Sequence, residues 1–390
     1  MGTVISHSPI SLYDLDKKKL EMKLDPQEMY KKFVEKYIKN FKLPISTDEF
    51  RPNYANTYYG GVDFPDAKTT SMLRGIGWDL IKQIGKKIIS GDFNLTTVTI
   101  PIRVMVPISI LQHICNGHFN FPLYLHLASK CENPLDKMKY VITATLSSWF
   151  KSNIFLKPLN PILGETYEMM WEDGSHCYIE QTSHHPPISY FILRGPNKEF
   201  TYSGYYNYTT NAWFNSAIVK NMGKRVIEFK DSRIEMNSIQ DQFSNIFWGT
   251  IRHECIGDLT FVDTVNHISA TFSLGNVSGK FSDYFEGDII NDETKEMLSH
   301  FYGSYLSYIE FDGVRYWDIR ENIDIEPYPI KNQIKSSSIY RPDSILLNQR
   351  KLEEAQEAKD QQENVQRRDR KLRKEYLEKQ QCEEEDDNQE

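Results

Sequence analysis

Hydrophobic positions change their spacing along this chain, and each change marks a different kind of element. In Pro26 to Phe41 (PQEMYKKFVEKYIKNF), Met29, Phe33, Tyr37 and Ile38 recur at helical steps, which predicts an amphipathic helix. Residues 53–68 are aromatic and turn-rich and read as a surface segment or linker. Across 71–90, Leu73, Ile76, Leu80, Ile84 and Ile88 form a second helical stripe, with Lys82, Lys86 and Lys87 off it. Gly75, Gly77 and Gly85 weaken that stripe as a free helix, so it must pack on a core or lie on a membrane surface. Residues 107–156 also read as helical, starting at Pro107-Ile108-Ser109. Beyond residue 160 the pattern becomes β-like. Short aromatic and β-branched runs such as CYIEQTS, ISYFIL, FTYSGYYNYTT, RVIEF, HISATFSL and SYLSYIEF are separated by turn signals, as in an antiparallel meander, sandwich or barrel. Several runs are apolar on both faces, which suits a sheet with helices on one side and an apolar cavity on the other. Residues 345–380 predict a long charged helix, and EEEDD at 383–387 predicts a disordered acidic tail.

Composition narrows the possibilities. A length of 390 residues allows two or three domains of about 150 residues each, or one large all-β unit with helical flanks. The hydrophobic fraction is 39% and aromatics are 13%, which supports a sizeable core and excludes global disorder. Lys and Arg number 46 against 54 Asp and Glu, a net charge of −8, so no nucleic-acid partner is expected. Cys115, Cys131, Cys177, Cys255 and Cys382 are widely spaced, odd in number and form no CxxC. That pattern predicts a reduced, cytoplasmic protein without disulfides or a zinc finger. The first residues, MGTVISHSPISLYDLDKKK, lack the apolar core of a signal peptide, and no run of 18 apolar residues occurs. Gly2 with Ser6 fits the loose myristoylation pattern. No repeat is visible and a monomer is expected.

Three segments carry chemistry. Lys157-Pro158-Leu159-Asn160-Pro161-Ile162-Leu163-Gly164-Glu165 has two prolines and a glycine that fix an extended and then turning backbone. In Glu180-Gln181-Thr182-Ser183-His184-His185-Pro186-Pro187, adjacent histidines in a regular strand would face opposite sides. The prolines force the strand to end or bulge, so both imidazoles can converge. A zinc site would need further ligands, and no HxxxH or CxxC lies nearby. Ser183 beside a histidine lacks both triad geometry and a nucleophile elbow. Paired histidines near a lysine suit a phosphate, which would hold both rings protonated. In AKDQQENVQRRDRKLRK, Lys359, Glu363 and Arg367 are four apart, each step advancing about 40° beyond a full turn, so they share one stripe. By spacing alone, that stripe is either a solvated face of ion pairs or part of an anion site.

EQTSHHPP is nearly the EQVSHHPP fingerprint of the oxysterol-binding protein and related-protein family, departing only at Thr182. KPLNPILGE resembles the family's other signature, upstream of the first. RPD at 341–343 with the charged helix after it, and WDLIKQIGKKI with FNLTTVTIPIRVMVPISILQ, resemble its C-terminal segment and its lid region. The resemblance covers roughly residues 71–380. It implies an α+β, mainly antiparallel fold: an incomplete β-barrel around an apolar tunnel, with N-terminal helices, an amphipathic lid and a C-terminal helical subdomain. Residues 1–70 would be an N-terminal extension of unknown role. Residues 71–98 would be the lid, 99–156 a helical layer, 157–330 the barrel, 331–380 the C-terminal helical segment and 381–390 an acidic tail.

The resemblance also implies a function. The chain should be a carrier and not an enzyme, needing no cofactor or metal. It would hold the 4-phosphate of phosphatidylinositol 4-phosphate with Lys157, Asn160, His184, His185, Lys359, Glu363 and Arg367, and close Ile76, Leu80, Ile84 and Ile88 over the acyl chains. It would act peripherally and transiently on membranes, exchanging that lipid for a second one. IPIRVMVPIS resembles the family's sterol-type sequence more than its phosphatidylserine type, although Val106 replaces an acidic residue and Arg103 is unusual. Sterol is therefore the expected counter-lipid, with phosphatidylserine, or sensing without net transport, as the alternatives. Val62 to Ala67 loosely resembles the two-phenylalanine acidic-tract motif that docks on endoplasmic-reticulum proteins, but lacks its second aromatic and acidic lead-in.

Overall fold

The computed structural model describes residues 25–64, 66–84, 101–151, 155–184, 186–213, 215–325, 327–330 and 333–387. The chain begins there with helix α1 (Pro26–Phe33), opened by Asp25, whose carboxylate accepts from Gln27 N, and by Pro26 in the first turn. A widened turn over Val34–Ile38 continues it. As the spacing predicts, Phe33 is buried, and Tyr37 donates to Glu172 at 2.8 Å.

Sixteen strands form one sheet among the described residues. Its path runs from Val314–Asp318 through Tyr308–Phe311, Met297–Ser304, Tyr284–Asn291, Ile268–Leu274 and Arg252–Asp263. It continues through Arg233–Met236, Arg225–Glu228, Thr201–Trp213, Pro187–Arg194, His176–His184 and Thr166–Trp171 to Pro327–Pro329. Every neighbour on this path is antiparallel. Two long strands split the sheet and curl it. Thr201–Gly204 pairs with Arg225–Glu228, whereas Tyr208–Trp213 pairs with Ser216–Asn221. Gly204 sits at that fork, where a Cβ would come within 2.5 Å of the Lys224 carbonyl. Arg252–Asp263 likewise changes partner around Gly257, whose φ of +101° suits glycine. The result is an incomplete barrel.

Helices α2 (Ala67–Ile84), α3 (Ile110–Asn116), α4 (Phe121–Lys130) and α5 (Pro134–Leu146) follow in order. Leu111, Ile114, Leu125, Met138 and Ile142 of the last three share one core with Ile179, Phe191, Leu193, Tyr202 and Ile227 of the sheet. Burying such side chains at about 1.5–3 kcal/mol each is the main driving force for this layer. The expected helix start at Pro107 is corrected. Met105–Ser109 is a strand, parallel to Lys157–Leu159, and Ser109 caps α3 in a capping box with Gln112. Proline biases the preceding Val106 toward extended backbone, and serine is a strong N-cap.

The expected linker at 53–68 is corrected as well. Val62–Asp63 adds to the sheet against Arg252 and His253, and Phe64 N donates to Ile251 O at 2.8 Å. Upstream, Arg51 grips Asp283 with two bonds, and Glu49 accepts from Tyr284 and Tyr308. Val62–Phe64, the first half of the stretch resembling a docking motif, is therefore joined to the sheet. Helices α6 (Pro342–Asn348) and α7 (Leu352–Asp387) close the chain, and α7 continues through the stretch expected to be a disordered acidic tail. No described helix is long and apolar enough to cross a membrane.

Candidate functional site

The site is built where the parallel pair meets the C-terminal helices. Ile102, Met105 and Leu159 pack with Leu347 of α6 and Ala355 of α7. Ser344 Oγ donates to the Pro107 carbonyl at 2.7 Å, and Ile102 N donates to Gln356 Oε1 at 2.9 Å. These contacts place Lys157, on one strand of the pair, beside α7. Lys157 Nζ donates to Asn160 Oδ1 and, at 3.3 Å, to the Pro158 carbonyl. On α7, Lys359 is 5% exposed and donates to Glu363 Oε1 at 2.6 Å. Glu363 Oε2 accepts from Arg367 at 3.1 Å, so one carboxylate joins two cations a turn apart on either side. The stripe read from the spacing of four is real, with Lys359 buried and Arg367 exposed.

Electrostatics mark Lys157. Burial, then the nearby charges of Lys359 and Arg341, lower its pKa to about 8, against a smaller opposing pull from Glu363. An ammonium held there needs an anion more than an ordinary lysine does.

The histidine segment reaches the same loop. Gly164 N donates to the Gln181 carbonyl, and Gln181 N donates to the Glu165 carbonyl. The strand His176–His184 bulges between Gln181 and Ser183, as its prolines predict, and ends at the half-buried His184. Thr182, the departure from the fingerprint, is exposed and donates to the Ile188 carbonyl at 3.3 Å across the bulge. His185 lies outside the described residues. So does Ile88, and so do the side chains of Ile76, Leu80 and Ile84, although α2 carries the backbone of the last three.

Residues quoted only as motif letters prove to hold the site. Arg341 donates to both oxygens of Asp343 (3.0 and 2.6 Å), to Glu165 Oε2 (2.8 Å) and to the Asn160 carbonyl (2.6 Å). Glu165 also accepts from Ile162 N and Ser338 Oγ. Arg341 thereby ties the Lys-Pro-Leu-Asn-Pro loop to α6. Sequence could show only that Glu165 and Arg341 each belong to a motif, not that they meet.

Tyr206 and Tyr208 have pKa values raised by burial, and burial brings His113 down to about 4, yet all three keep some accessible surface. They therefore border an internal space. An open antiparallel barrel under a helical layer, with the cations Lys157, Lys359 and Arg341 drawn together where its parallel strand pair meets the C-terminal helices, is the architecture of a lipid-binding domain.

Comparison with known proteins agrees. The family model described as oxysterol-binding protein matches residues 80–338, and the chain belongs to that family. Oxysterol-binding protein 9 of Dictyostelium discoideum is 31% identical over 298 residues, covering 70% of this chain and 69% of that protein. Oxysterol-binding protein-related protein 1 of Mus musculus is 29% identical over 223 residues, covering 54% of this chain but 23% of that longer protein. Among solved structures, the Osh1 ORD domain in complex with cholesterol matches with a TM-score of 0.66 at 19% identity, covering 91% of this chain and 90% of that one. The Osh3 ORD in complex with PI(4)P from Saccharomyces cerevisiae matches with a TM-score of 0.64 at 19% identity, covering 84% and 89%.

Proposed function

We propose that the protein binds phosphatidylinositol 4-phosphate at this site and exchanges it between membranes for a second lipid, sterol. The observation that carries the reading is Lys157: a half-buried cation with two cationic neighbours, whose hydrogen bonds go to neutral oxygens. A phosphomonoester brings about −1.5 to −2 charges and three acceptor oxygens, which suits that deficit. Lys157, Asn160, Lys359 and Arg367 would grip the phosphate, with His184 and His185 from the strand end, while Glu363 orients the two α7 cations. The acyl chains would enter the barrel, since leaving them in water costs about 0.8 kcal/mol per methylene. The complexes of the similar domains with cholesterol and with PI(4)P support both ligands, and Arg103, unusual in sequence, is exposed and so does not argue against sterol.

The test is extraction of phosphatidylinositol 4-phosphate from liposomes by wild type, Lys157→Ala and His184→Ala/His185→Ala, with sterol as competitor. Extraction should vanish in both variants and be suppressed by sterol, while sterol binding survives. Loss of sterol binding along with phosphoinositide binding would make the histidines structural. Extraction indifferent to sterol would remove sterol as the counter-lipid, and binding without transfer would make the protein a sensor.

A further inference from the structure

The rim of the barrel carries a feature that the phosphate site does not use. Of the six tryptophans, three are well exposed: Trp78 at 41%, Trp213 at 44% and Trp248 at 49%. They come from three elements. Trp78 lies on α2, Trp213 ends the strand Thr201–Trp213, and Trp248 belongs to the loop after Gln240–Ser244.

Hydrogen bonds join these elements into one framework. Asn215, just past Trp213, accepts through Oδ1 from the backbone N–H of Phe247 (2.9 Å) and Trp248 (3.3 Å), and its carbonyl accepts from Ile246 N (3.2 Å). Arg74 of α2 donates to the carbonyls of Ile246 (3.2 Å), Asn245 (3.4 Å) and Gly249. The Trp78 ring meets Phe247 with centroids 4.9 Å apart. Gly77 leaves room for that contact, because a Cβ there would lie 2.9 Å from the Phe247 ring. Met72 adds a fourth exposed apolar side chain on the same helix. One exposed tryptophan is ordinary, whereas three on a shared framework form a patch that marks an interaction surface.

The strand register says which way the patch points. His184 pairs with Pro187 and Ile188 with Asn207, so these residues mark one end of the sheet. The strand that holds Asn207 runs on to Trp213, about 20 Å at ~3.3 Å per residue. Trp213 thus projects beyond the end that carries His184. Indole rings pair an apolar body with a polar N–H, which suits the water–lipid boundary.

We propose that this aromatic platform is the surface by which the protein docks on a phospholipid bilayer, with Trp213 and Trp248 entering the interfacial zone. The proposal rests on the lipid-carrier reading, since a mouth that collects lipid must meet the bilayer. The experiment uses the full chain and vesicles of phosphatidylcholine alone, without phosphoinositide or sterol. Wild type should float with the vesicles, shift its tryptophan emission to the blue and be quenched by brominated acyl chains. Trp213→Ala/Trp248→Ala should lose vesicle affinity by about a hundredfold, about tenfold for each ring withdrawn from lipid. It should bind a water-soluble short-chain phosphoinositide as tightly as wild type. Undiminished docking by the double variant, or wild-type emission untouched by brominated lipid, overturns the proposal. Docking by a wild type that ignores the short-chain phosphoinositide would sink the cargo reading and leave this one standing.

Discussion

Arg341, buried, and Lys157, half-buried, are neighbouring cations of the candidate site, and the protein treats them oppositely. Arg341 is surrounded by acceptors: two carboxylates and a carbonyl use its donors, and although burial alone would lower its pKa, Glu165 and Asp343 raise it instead. Lys157 has only neutral hydrogen-bond partners among the described residues, two cations nearby and a pKa brought down to about 8. A buried charge with its partners supplied is architecture. A half-buried charge whose partner is withheld keeps its Coulombic interaction in reserve for a ligand, at a cost to the unliganded fold.

The sharpest way to break this contrast is to remove each cation in turn. Arg341→Leu leaves Glu165 and Asp343 as buried, unpaired carboxylates, and should destabilise the protein by about 3–5 kcal/mol in chemical denaturation. Lys157→Met should do the reverse. A lysine whose folded pKa lies below its free value of about 10.4 penalises the fold below pH 8, and the penalty fades as the pH rises toward 10.4. Its removal should therefore stabilise the lipid-free protein at pH 7 by up to about 3 kcal/mol, less what water at the mouth screens. The gain should be absent near pH 10.5, and phosphoinositide binding should be lost. Equal destabilisation by both substitutions would dissolve the distinction.

The same residues show what could be read from the sequence and what could not. Lys157, His184 and the Lys359–Glu363–Arg367 stripe could be named as candidates because their segments resemble family motifs; the helical period alone gave the stripe but left it as either an ion-pair face or an anion site. The strand bulge was legible because proline cannot donate to a ladder. The partnership of Arg341 with Glu165 was not, since ion pairs between residues 165 and 341 leave no local trace. Val62–Asp63 escaped because two residues fall below any periodic window, and Met105–Ser109 because Pro107-Ile108-Ser109 reads as a helix start. Their pairing is decided by the tertiary frame rather than by propensity.

Titration separates the two cations without mutation. Beyond any slope that the phosphate-holding histidines impose at lower pH, phosphoinositide affinity in wild type should weaken by up to a further tenfold per pH unit above about pH 8, as Lys157 loses its proton. Arg341, always protonated, contributes no such slope. Lys157→Arg should keep its charge across that range and flatten the profile, in binding measured with short-chain phosphoinositide.

The smallest effect comes from the carboxylate between the α7 cations. Glu363 accepts from the buried Lys359 and from the exposed Arg367; Glu363→Gln keeps a neutral acceptor for the Lys359 ammonium but removes its counter-charge, so it should cost about 1–2 kcal/mol, less than the loss of Arg341. Its consequence for Lys157 is more telling. Glu363 favours the lysine's charge, set against burial and two cations. Without it the pH at which phosphoinositide affinity begins to fall should drop below 8, while affinity at pH 6.5, where Lys157 stays charged, should hold or improve because a competing anion is gone. A profile unchanged by Glu363→Gln would mean that Lys157 does not feel α7, and the mouth would then be two separate cation sites instead of one.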